Sequence, residues 1–310
     1  MKVIFMGTPD FAVESLSSIL KSGHEVSAVF TQTDKPQGRK MILTQPPVKL
    51  FAVENSIPVY QPTTLKDPEV FEQIKQINPD VIVVVAYGKM LPANILQYPK
   101  WGCINVHASL LPRHRGASPI QWSIVCGDSK TGVTTMMMDV GMDTGDMLLK
   151  TETEISADDT ADTLHDRLKI MGAKLIVETL YRLETEGIKP IKQSESDATY
   201  APIIKREMGA IDFTKTATEI NNLVRGFYPW PAAYITTADG KRLKVFKTMV
   251  SGYTELPAAT VIESDGRLVV ACGDNTSIEL CEVQPEGKNR MTAQSLLNGY
   301  KIEKGSIICE

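Results

Sequence analysis

The sequence predicts an α/β protein in which a mostly parallel sheet is followed by a small β-barrel domain of the OB type. Residues 2–31 read as strand, helix and strand, an order that implies parallel pairing through a right-handed crossover. Residues 80–86, DVIVVVA, form an uninterrupted apolar run that suits a central strand buried on both faces. Beyond residue 206 the pattern changes to short strands separated by turns, which is typical of a small barrel.

The opening segment begins with a strand over 2–6 and continues into a helix over 11–21, which ends at Gly23. Dinucleotide-binding domains open in the same way, but they carry G-x-G-x-x-G between strand and helix. Here Gly7 stands alone before Gly23. The pattern therefore argues against NAD or FAD binding.

Basic residues cluster in the segment 34–49, DKPQGRKMILTQPPVK. Lys35, Arg39, Lys40 and Lys49 stand there against one acidic residue, although the whole chain has a formal net charge of −4. The segment is either a solvated surface loop or a mobile loop that grips a polyanion through its phosphates. The net charge argues against a general nucleic-acid coat, but it leaves room for such a local patch.

A loop follows the central strand at its carboxyl end, the edge where open α/β sheets bind their ligands. It contains Tyr87, Gly88, Met90 and Leu91. Its apolar side chains either line a pocket for a flat heteroaromatic ring or simply pack against the core. The residues alone leave both interpretations open.

The stretch with the strongest chemical content is 102–116, GCINVHASLLPRHRG. It begins as a buried strand in which Asn105 and His107 lie two residues apart and therefore point to the same face. An amide and an imidazole on one face can hydrogen-bond a carbonyl oxygen that is becoming an oxyanion. The alternative is a core histidine bonded to the backbone and an asparagine that caps a loop.

A second segment, MDVGMDTG at 138–145, follows another apolar strand. Gly141 and Gly145 predict a tight loop whose backbone can approach a ligand closely. Asp143 is a candidate partner for His107, because a neighbouring carboxylate orients an imidazole and favours its charged form. The alternative is that the aspartates of this loop are ordinary turn residues.

The remaining elements complete the fold prediction. They are a strand over 58–61, helices over 67–78 and 118–126, strands over 132–138 and 146–154, a long helix over 156–186, a helix over 216–226, strands over 233–237, 242–248, 259–263, 267–271 and 277–283, and a last helix over 293–299. Prolines and polar residues indicate a linker at 189–206. We therefore expect a first domain at 1–188 and a second at 207–310.

The five cysteines are odd in number and lack C-x-x-C spacing, which supports neither a disulfide framework nor a zinc site. Free thiols of this kind favour the cytosol. The amino terminus does not resemble a signal peptide, and no apolar run approaches the ~20 residues that span a bilayer. We expect a cytoplasmic protein that does not associate with membranes.

Two stretches, GCINVHASLLPRHRGASPIQW and GVTTMMMDVGMDTGDML, together resemble the folate-dependent formyltransferase family. The segments FMGTPDFAVESL, VVVAYG and RGFYPWPAAY extend the resemblance over nearly the whole chain. The resemblance implies a Rossmann-like catalytic domain at 1–188 and an OB-like tRNA-binding domain at 207–310.

The resemblance also implies roles for single residues. They are Asn105, His107 and Asp143 for catalysis; Ser109, Leu110, Leu111, Pro112, Tyr87, Gly88, Met90 and Leu91 for folate binding; and Lys35, Arg39 and Lys40 for tRNA binding. Met41 and Ile42 depart from the family's pattern, because they stand where the basic run is expected to continue. Ala108 replaces a glycine that is common in this motif, a small change that should not block the turn.

The implied reaction moves the formyl group of 10-formyltetrahydrofolate to the α-amine of initiator methionyl-tRNA, which is used in translation initiation. It requires no metal. We expect Asn105 and His107 to donate to the oxyanion, while Asp143 favours the charged His107 ring and orders a water that relays protons. The protein is expected to act as a monomer.

Three alternatives remain on sequence grounds. A formyltransferase of this kind can act on a sugar-nucleotide amine or on glycinamide ribonucleotide. The chain can also be a non-catalytic RNA-binding protein with a relict α/β fold. Finally, a hydrolase that releases formate from the same folate needs only water in place of the amine.

Overall fold

The computed structural model describes residues 1–38, 41–237 and 240–309. The chain forms two compact units. The first contains Met1–Pro119, Lys130–Glu154 and His165–Ala201, and the second contains Ile120–Ser129, Ile155–Leu164 and Pro202–Glu310. Most of the segment predicted as a linker, up to residue 201, therefore groups with the first unit.

Strands are interspersed with helices through the first 185 residues. The strands are β1 (Lys2–Gly7), β2 (Glu25–Phe30), β3 (Lys35–Gln37), β4 (Ile42–Thr44), β5 (Val59–Tyr60), β6 (Val81–Val85), β7 (Cys103–His107), β8 (Lys130–Met137) and β9 (Met147–Glu154). The helices are α1 (Asp10–Lys21), α2 (Pro47–Glu54), α3 (Pro68–Ile77), α4 (Ala93–Leu96), α5 (Pro119–Val125) and α6 (Ala161–Thr185). The long helix thus begins at Ala161, five residues later than the pattern over 156–186 predicts.

The main sheet has the strand order β5-β2-β1-β6-β7-β8-β9. Strands β5, β2, β1, β6 and β7 pair in parallel, and every residue of the β6 sequence VIVVV is buried. Apolar residues on both faces suit such a central strand, since helices cover both sides of a parallel sheet. Strands β8 and β9 are added antiparallel at one edge. The predicted mostly parallel sheet is confirmed.

Residues 34–49 form more regular structure than the predicted loop. Strands β3 and β4 pair as a short antiparallel hairpin, and the segment ends inside α2. On α2, Lys49 forms an ion pair with Asp34 at 2.8 Å, and the side chain of Gln61 donates to the same carboxylate at 2.8 Å. These two hydrogen bonds hold the pKa of Asp34 below its ordinary value. One of the four basic residues of this segment is therefore neutralised locally.

The second unit contains an antiparallel sheet and two helices over its carboxyl-terminal part. These elements are α7 (Ala217–Gly226), β10 (Ala233–Thr236), β11 (Arg242–Tyr253), β12 (Val261–Glu263), β13 (Leu268–Ala271), β14 (Thr276–Pro285), β15 (Met291–Thr292) and α8 (Ala293–Gly299). The strand order is β10-β11-β14-β13-β12, with β15 paired to β14. The predicted β domain is confirmed, with β11 longer than expected and β15 additional.

Helix α7 packs its apolar side into the core of this sheet. Thr216 and Glu219 form a reciprocal capping box at its start, which satisfies backbone N–H groups that the helix leaves unpaired. Ile220 and Val224 are buried against strand residues such as Leu280. The helical periodicity of this segment therefore builds the core of the β domain.

Strand direction decides how the loops of the first unit approach β7. Because β8 runs antiparallel to β7, the loop after β8 leaves beside the amino end of β7, where the backbone N–H of Met138 donates to the Cys103 carbonyl at 2.8 Å. Residues 139–146 must then fold back along β7 to reach its polar residues. The loop over 108–116, in contrast, simply continues from the carboxyl end of β7.

Candidate functional site

Three polar side chains from distant segments meet beside β7. The Nδ2 atom of Asn105 donates to Oδ1 of Asp143 at 3.2 Å. The Nδ1 atom of His107 lies 3.6 Å from Oδ2 of the same carboxylate. Asn105 and His107 therefore share a face of the strand, as their spacing predicts, and the structure brings them together with Asp143.

The buried ring of His107 has both nitrogens engaged. Its Nε2 atom lies 2.9 Å from the carbonyl oxygen of His114. A carbonyl oxygen can only accept, so Nε2 carries the proton and Nδ1 faces Asp143. The predicted donation from His107 to an oxyanion therefore requires that one of these two contacts be exchanged.

Asn105 has spare donor capacity. Its side chain is half-buried, and one of its two N–H bonds is directed at Asp143. Within the described part of the chain, the other N–H of this amide makes no hydrogen bond. A neutral amide N–H held in place in this way can stabilise negative charge that develops on a nearby oxygen.

Backbone geometry anchors the carboxylate of Asp143. The backbone N–H of Gly116 donates to Oδ2 at 2.8 Å. Gly116 has a φ of 117°, and a Cβ atom there would lie 2.8 Å from the Ala201 carbonyl oxygen, so only glycine fits. Asp143 itself has a φ of 54°, a left-handed value that non-glycine residues rarely adopt. Such residues persist where surrounding contacts hold them.

Arg115 is a buried cation that the sequence motifs did not assign to the site. Its side chain is 0% exposed and donates two parallel hydrogen bonds to Glu195, at 2.9 and 3.0 Å. The pair raises the pKa of Arg115 and lowers the pKa of Glu195, in each case chiefly through these hydrogen bonds. A third hydrogen bond runs from Nε of Arg115 to Oε1 of Gln193 at 2.9 Å.

Gln193 extends this network to the loop that bears Asp143. Its Nε2 atom donates to the carbonyl oxygens of Asp143 at 2.8 Å and Gly145 at 2.7 Å. Sequence reasoning missed Gln193 and Glu195 because both lie in the segment that its composition marked as a linker. They are separated from Arg115 by 78 and 80 residues, and no local motif connects them.

The turn predicted to contact folate is tied to β8 and β9. The backbone N–H of Leu111 donates to Thr134 Oγ1 at 3.2 Å, and the Leu111 carbonyl accepts from Lys150 Nζ at 2.5 Å. Burial lowers the pKa of Lys150. The side chains of Ser109 and Leu111 are buried, whereas those of Leu110 and Pro112 are partly exposed. The last two are therefore the members of this turn that a ligand can reach.

The loop after β6 is divided in the same way. Tyr87 and Leu91 are buried in the core, while Gly88 and Met90 are exposed. The Tyr87 carbonyl accepts a hydrogen bond from Gln32 Nε2 at 2.9 Å. In the described part of the chain the Tyr87 hydroxyl has no hydrogen-bond partner, and burial raises its pKa to about 12.

Of the three residues predicted to bind tRNA, Lys35 lies in the described part of the chain. Lys35 is exposed and its ammonium group donates to Gln32 Oε1 at 2.6 Å. Arg39 and Lys40 lie outside the described residues. Three large apolar side chains of the hairpin are exposed; they are Met41 (69%), Ile42 (63%) and Leu43 (65%).

In the described residues, over 1–38, 41–237 and 240–309, no group of three or more histidines, cysteines or acidic residues is placed to hold a metal ion. In the same ranges, no helix has both the length and the apolar character needed to cross a bilayer.

Comparison with known sequences connects this geometry to a family. The formyl transferase family matches residues 1–180, and the formyl transferase C-terminal domain matches residues 203–301. The methionyl-tRNA formyltransferase of Caldanaerobacter subterraneus subsp. tengcongensis is 48% identical over 310 residues, which covers 99% of this chain and 100% of that protein. The methionyl-tRNA formyltransferase of Alkaliphilus oremlandii is 50% identical over 313 residues and is covered completely, as is this chain.

Solved structures support the same fold at lower identity. WlaRD, a sugar 3N-formyl transferase crystallised with dTDP and 5-N-formyl-THF, superposes with a TM-score of 0.69 at 20% identity, covering 93% of this chain and 99% of its own. An N-formyltransferase from Helicobacter canadensis, in complex with folinic acid and dTDP-3-aminofucose, gives a TM-score of 0.69 at 21% identity, with coverage of 92% and 99%.

Proposed function

Because this chain belongs to the methionyl-tRNA formyltransferase family, we propose that it transfers the formyl group of 10-formyltetrahydrofolate to the α-amine of initiator methionyl-tRNA. The product, N-formylmethionyl-tRNA, serves translation initiation. The observation that carries this proposal is the contact of Asn105 and His107 with the Asp143 carboxylate in a chain that is similar to these enzymes over its full length.

Asn105 is the proposed donor to the formyl oxygen. During transfer the amine nitrogen bonds to the formyl carbon, the bond from that carbon to folate N10 breaks, and negative charge develops on the formyl oxygen. The second N–H of the Asn105 amide is available for this charge, while the first keeps the amide aligned on Asp143.

Asp143 and His107 are the proposed proton carriers. The amine loses a proton as it attacks, and folate N10 gains one as it leaves. A carboxylate 3.6 Å from an imidazole nitrogen offers two groups that can hold and pass that proton, with an ordered water as the relay. When the contact from His107 Nε2 to His114 is exchanged, this nitrogen becomes a second donor to the formyl oxygen.

We propose that folate is bound by the two loops after β6 and β7. Leu110, Pro112, Gly88 and Met90 offer reachable surface, whereas Ser109, Leu111, Tyr87 and Leu91 support the loops from below, since their side chains are buried. Apolar edges with a few fixed backbone groups suit a flat heteroaromatic ring. No step of the proposed reaction uses a metal.

For tRNA binding we propose Lys35, Arg39 and Lys40 together with a C-terminal domain at 207–310. Of the predicted linker at 189–206, residues up to 201 belong to the first unit, so we extend the proposed catalytic domain from 1–188 to residue 201. Cationic side chains suit phosphate contacts. We also propose that the protein is monomeric and cytoplasmic; the odd number of cysteines and the lack of C-x-x-C spacing favour that compartment.

The direct test is incubation of the purified protein with 10-formyltetrahydrofolate carrying a labelled formyl group and with initiator methionyl-tRNA. Labelled formylmethionine should appear after the ester is hydrolysed, and Asp143→Asn should form it far more slowly. Parallel reactions contain an amino-sugar nucleotide, glycinamide ribonucleotide or no acceptor. Faster labelling of either small amine would overturn the proposed acceptor, and release of formate in place of ester labelling would identify a hydrolase.

A further inference from the structure

The loop that bears Asp143 starts at the end of β8, which lies beside the amino end of β7. As β8 is antiparallel to β7, residues 139–146 fold back along β7 before they join β9. Within the loop, the Asp139 carboxylate accepts from the Gly141 N–H at 2.9 Å and from Thr144 Oγ1 at 2.7 Å, which shapes the turn locally. These contacts are internal and do not fix where the loop lies.

Gln193 supplies an anchor from outside the loop. One side-chain amide nitrogen donates both of its hydrogens, to the carbonyl oxygens of Asp143 at 2.8 Å and Gly145 at 2.7 Å. The amide orientation follows from its partners, because the reverse assignment would set oxygen against two carbonyl oxygens and nitrogen against the Arg115 donor.

The anchor itself is held by the buried side chain of Arg115, which is paired with the exposed carboxylate of Glu195. Arg115 donates from Nε to Gln193 and from its two terminal nitrogens to Glu195. The backbone of Arg115 is also fixed. Its N–H donates to the Thr199 carbonyl at 2.8 Å, and its carbonyl accepts from the Ala201 N–H at 2.7 Å. The guanidinium of Arg115 is planar and makes three hydrogen bonds, and its backbone is hydrogen-bonded on both sides. Gln193, which accepts from this guanidinium, therefore has little freedom to move.

The segment 193–201 also contacts the loop that follows β7. His114, whose carbonyl accepts from His107, donates its backbone N–H to Thr199 Oγ1 at 2.9 Å. Gly116, which donates to the Asp143 carboxylate, lies two residues further along. Residues 193–201 thus touch both loops from which the histidine and carboxylate contacts arise.

We propose that Gln193 is a positioning residue for formyl transfer: its two hydrogen bonds hold the backbone of Asp143 so that the carboxylate meets Asn105 and His107. The inference rests on the proposed function, because it assumes that the Asp143 carboxylate takes part in the reaction. Gln193 touches no substrate in this scheme. Gln193 acts through the backbone of Asp143, whose left-handed φ sets the direction of the carboxylate. A small displacement of this backbone would move the carboxylate away from Asn105 and His107.

Two substitutions test this with the full-length protein. Gln193→Glu keeps an acceptor for Arg115 but replaces the two donors by an oxygen that repels the carbonyls. Gln193→Met keeps the side-chain length and removes all three hydrogen bonds. The control is Gln76→Glu, the same substitution at an exposed position of α3 in the first unit. Circular dichroism and thermal unfolding establish that each variant is folded.

The rate of formyl transfer at saturating substrates should fall about 10- to 100-fold in both Gln193 variants, with little change in the KM for methionyl-tRNA, as expected for a small displacement of a reacting group. Their pH–rate profiles should shift towards that of Asp143→Asn. Adding Gln193→Met to Asp143→Asn should cost little more, because both changes act on one carboxylate.

The outcomes separate the two proposals. If Asp143→Asn turns over like the wild type, the assumed role of the carboxylate fails and with it the proposed mechanism. If Asp143→Asn is slow while folded Gln193→Glu and Gln193→Met match the wild type in rate and pH profile, the positioning role alone is overturned. Fully multiplicative losses in the double variant would also contradict it, since Gln193 would then act independently of Asp143.

Discussion

The backbone N–H of Gly116 donates to the carboxylate of Asp143 at 2.8 Å, although 27 residues separate them. Gly116 ends the loop that continues from β7, and Asp143 lies in the loop that returns from the antiparallel β8. One backbone hydrogen bond therefore joins the two segments that carry the polar residues of the site, and the remaining carboxylate oxygen is left to Asn105.

Replacing Asn105 by alanine should slow formyl transfer by roughly 10²–10³-fold, the usual effect of removing one donor to a developing oxyanion. The strand should still form, because the side chain is half-buried and no backbone hydrogen bond depends on it. Turnover at saturating substrates measures the effect. Asn298→Ala, an exposed position on α8, is the matched control and should behave as the wild type. Near-normal turnover of a folded Asn105→Ala protein would remove the amide from the mechanism.

Replacing Lys35 by alanine should weaken binding of methionyl-tRNA and lower the slope of log affinity against log salt by about 1, as one phosphate contact is lost. The rate at saturating tRNA should not change. Filter binding at several salt concentrations gives the slope, and Lys174→Ala, at an exposed position of α6 in the first unit, serves as the control. An unchanged slope for Lys35→Ala would mean that this side chain does not contact phosphate.

Replacing Tyr87 by phenylalanine should remove a pH dependence of stability. In the folded protein burial raises the pKa of Tyr87 to about 12, while an exposed tyrosine titrates near ~10. Ionisation then favours the unfolded chain, so stability that is present below pH ~10 is lost between about pH 10 and 12, by up to about 1.4 kcal/mol per pH unit.

Urea unfolding at pH 8 and pH 11 measures this difference. The wild type should lose more stability than Tyr87→Phe over that interval, and Tyr181→Phe, an exposed position, should follow the wild type. At pH 8 the phenylalanine variant should be at least as stable as the wild type, because it removes a buried hydroxyl that lacks a partner among the described residues. Identical pH dependence in all three proteins would argue against the buried phenol as its source.

Replacing Glu195 by glutamine should make the protein less stable at pH 7, with a difference that shrinks in acid. The hydrogen bonds from Arg115 lower the pKa of Glu195 in the folded protein. The stabilisation from a lowered pKa is present above the ordinary glutamate value, ~4.3, and is lost as the pH falls through the folded value. Unfolding at pH 7 and pH 3 compares the variant with the wild type. Asp197→Asn, exposed on the same segment, should stay close to the wild type at both. A difference that does not narrow in acid would exclude the ion pair as its cause.

Much of the fold follows from local pattern. The apolar VIVVV of β6 predicts a central buried strand, and the spacing of α7 predicts a helix with one buried face. The same holds for Asn105 and His107, whose two-residue spacing places them on one face of β7. Elements whose environment is dictated by their own residues are read correctly, whereas the short hairpin of β3 and β4 is not, since its residues resemble an irregular loop.

Only part of the candidate site can be predicted from local sequence pattern. Chemical type and spacing single out Asn105, His107 and Asp143, because amide, imidazole and carboxylate groups suit acyl transfer wherever they converge. Nothing in the composition of 189–206 distinguishes a linker from a segment that hydrogen-bonds the loops of the site. Gln193 and Glu195 acquire their importance from Arg115, which lies about 80 residues away in sequence but within hydrogen-bond distance in the structure.

The sequence by itself determined most of the elements, the order of the two family domains and the candidate polar groups of the site, because periodicity and residue type act over a few neighbouring positions. Tertiary structure alone decided that the His107 ring bonds the His114 carbonyl, that the loop of Asp143 returns from an antiparallel strand, and that Gln193 donates to the Asp143 carbonyl. These relationships depend on strand direction and on the burial of Arg115, properties that arise only when distant segments pack together.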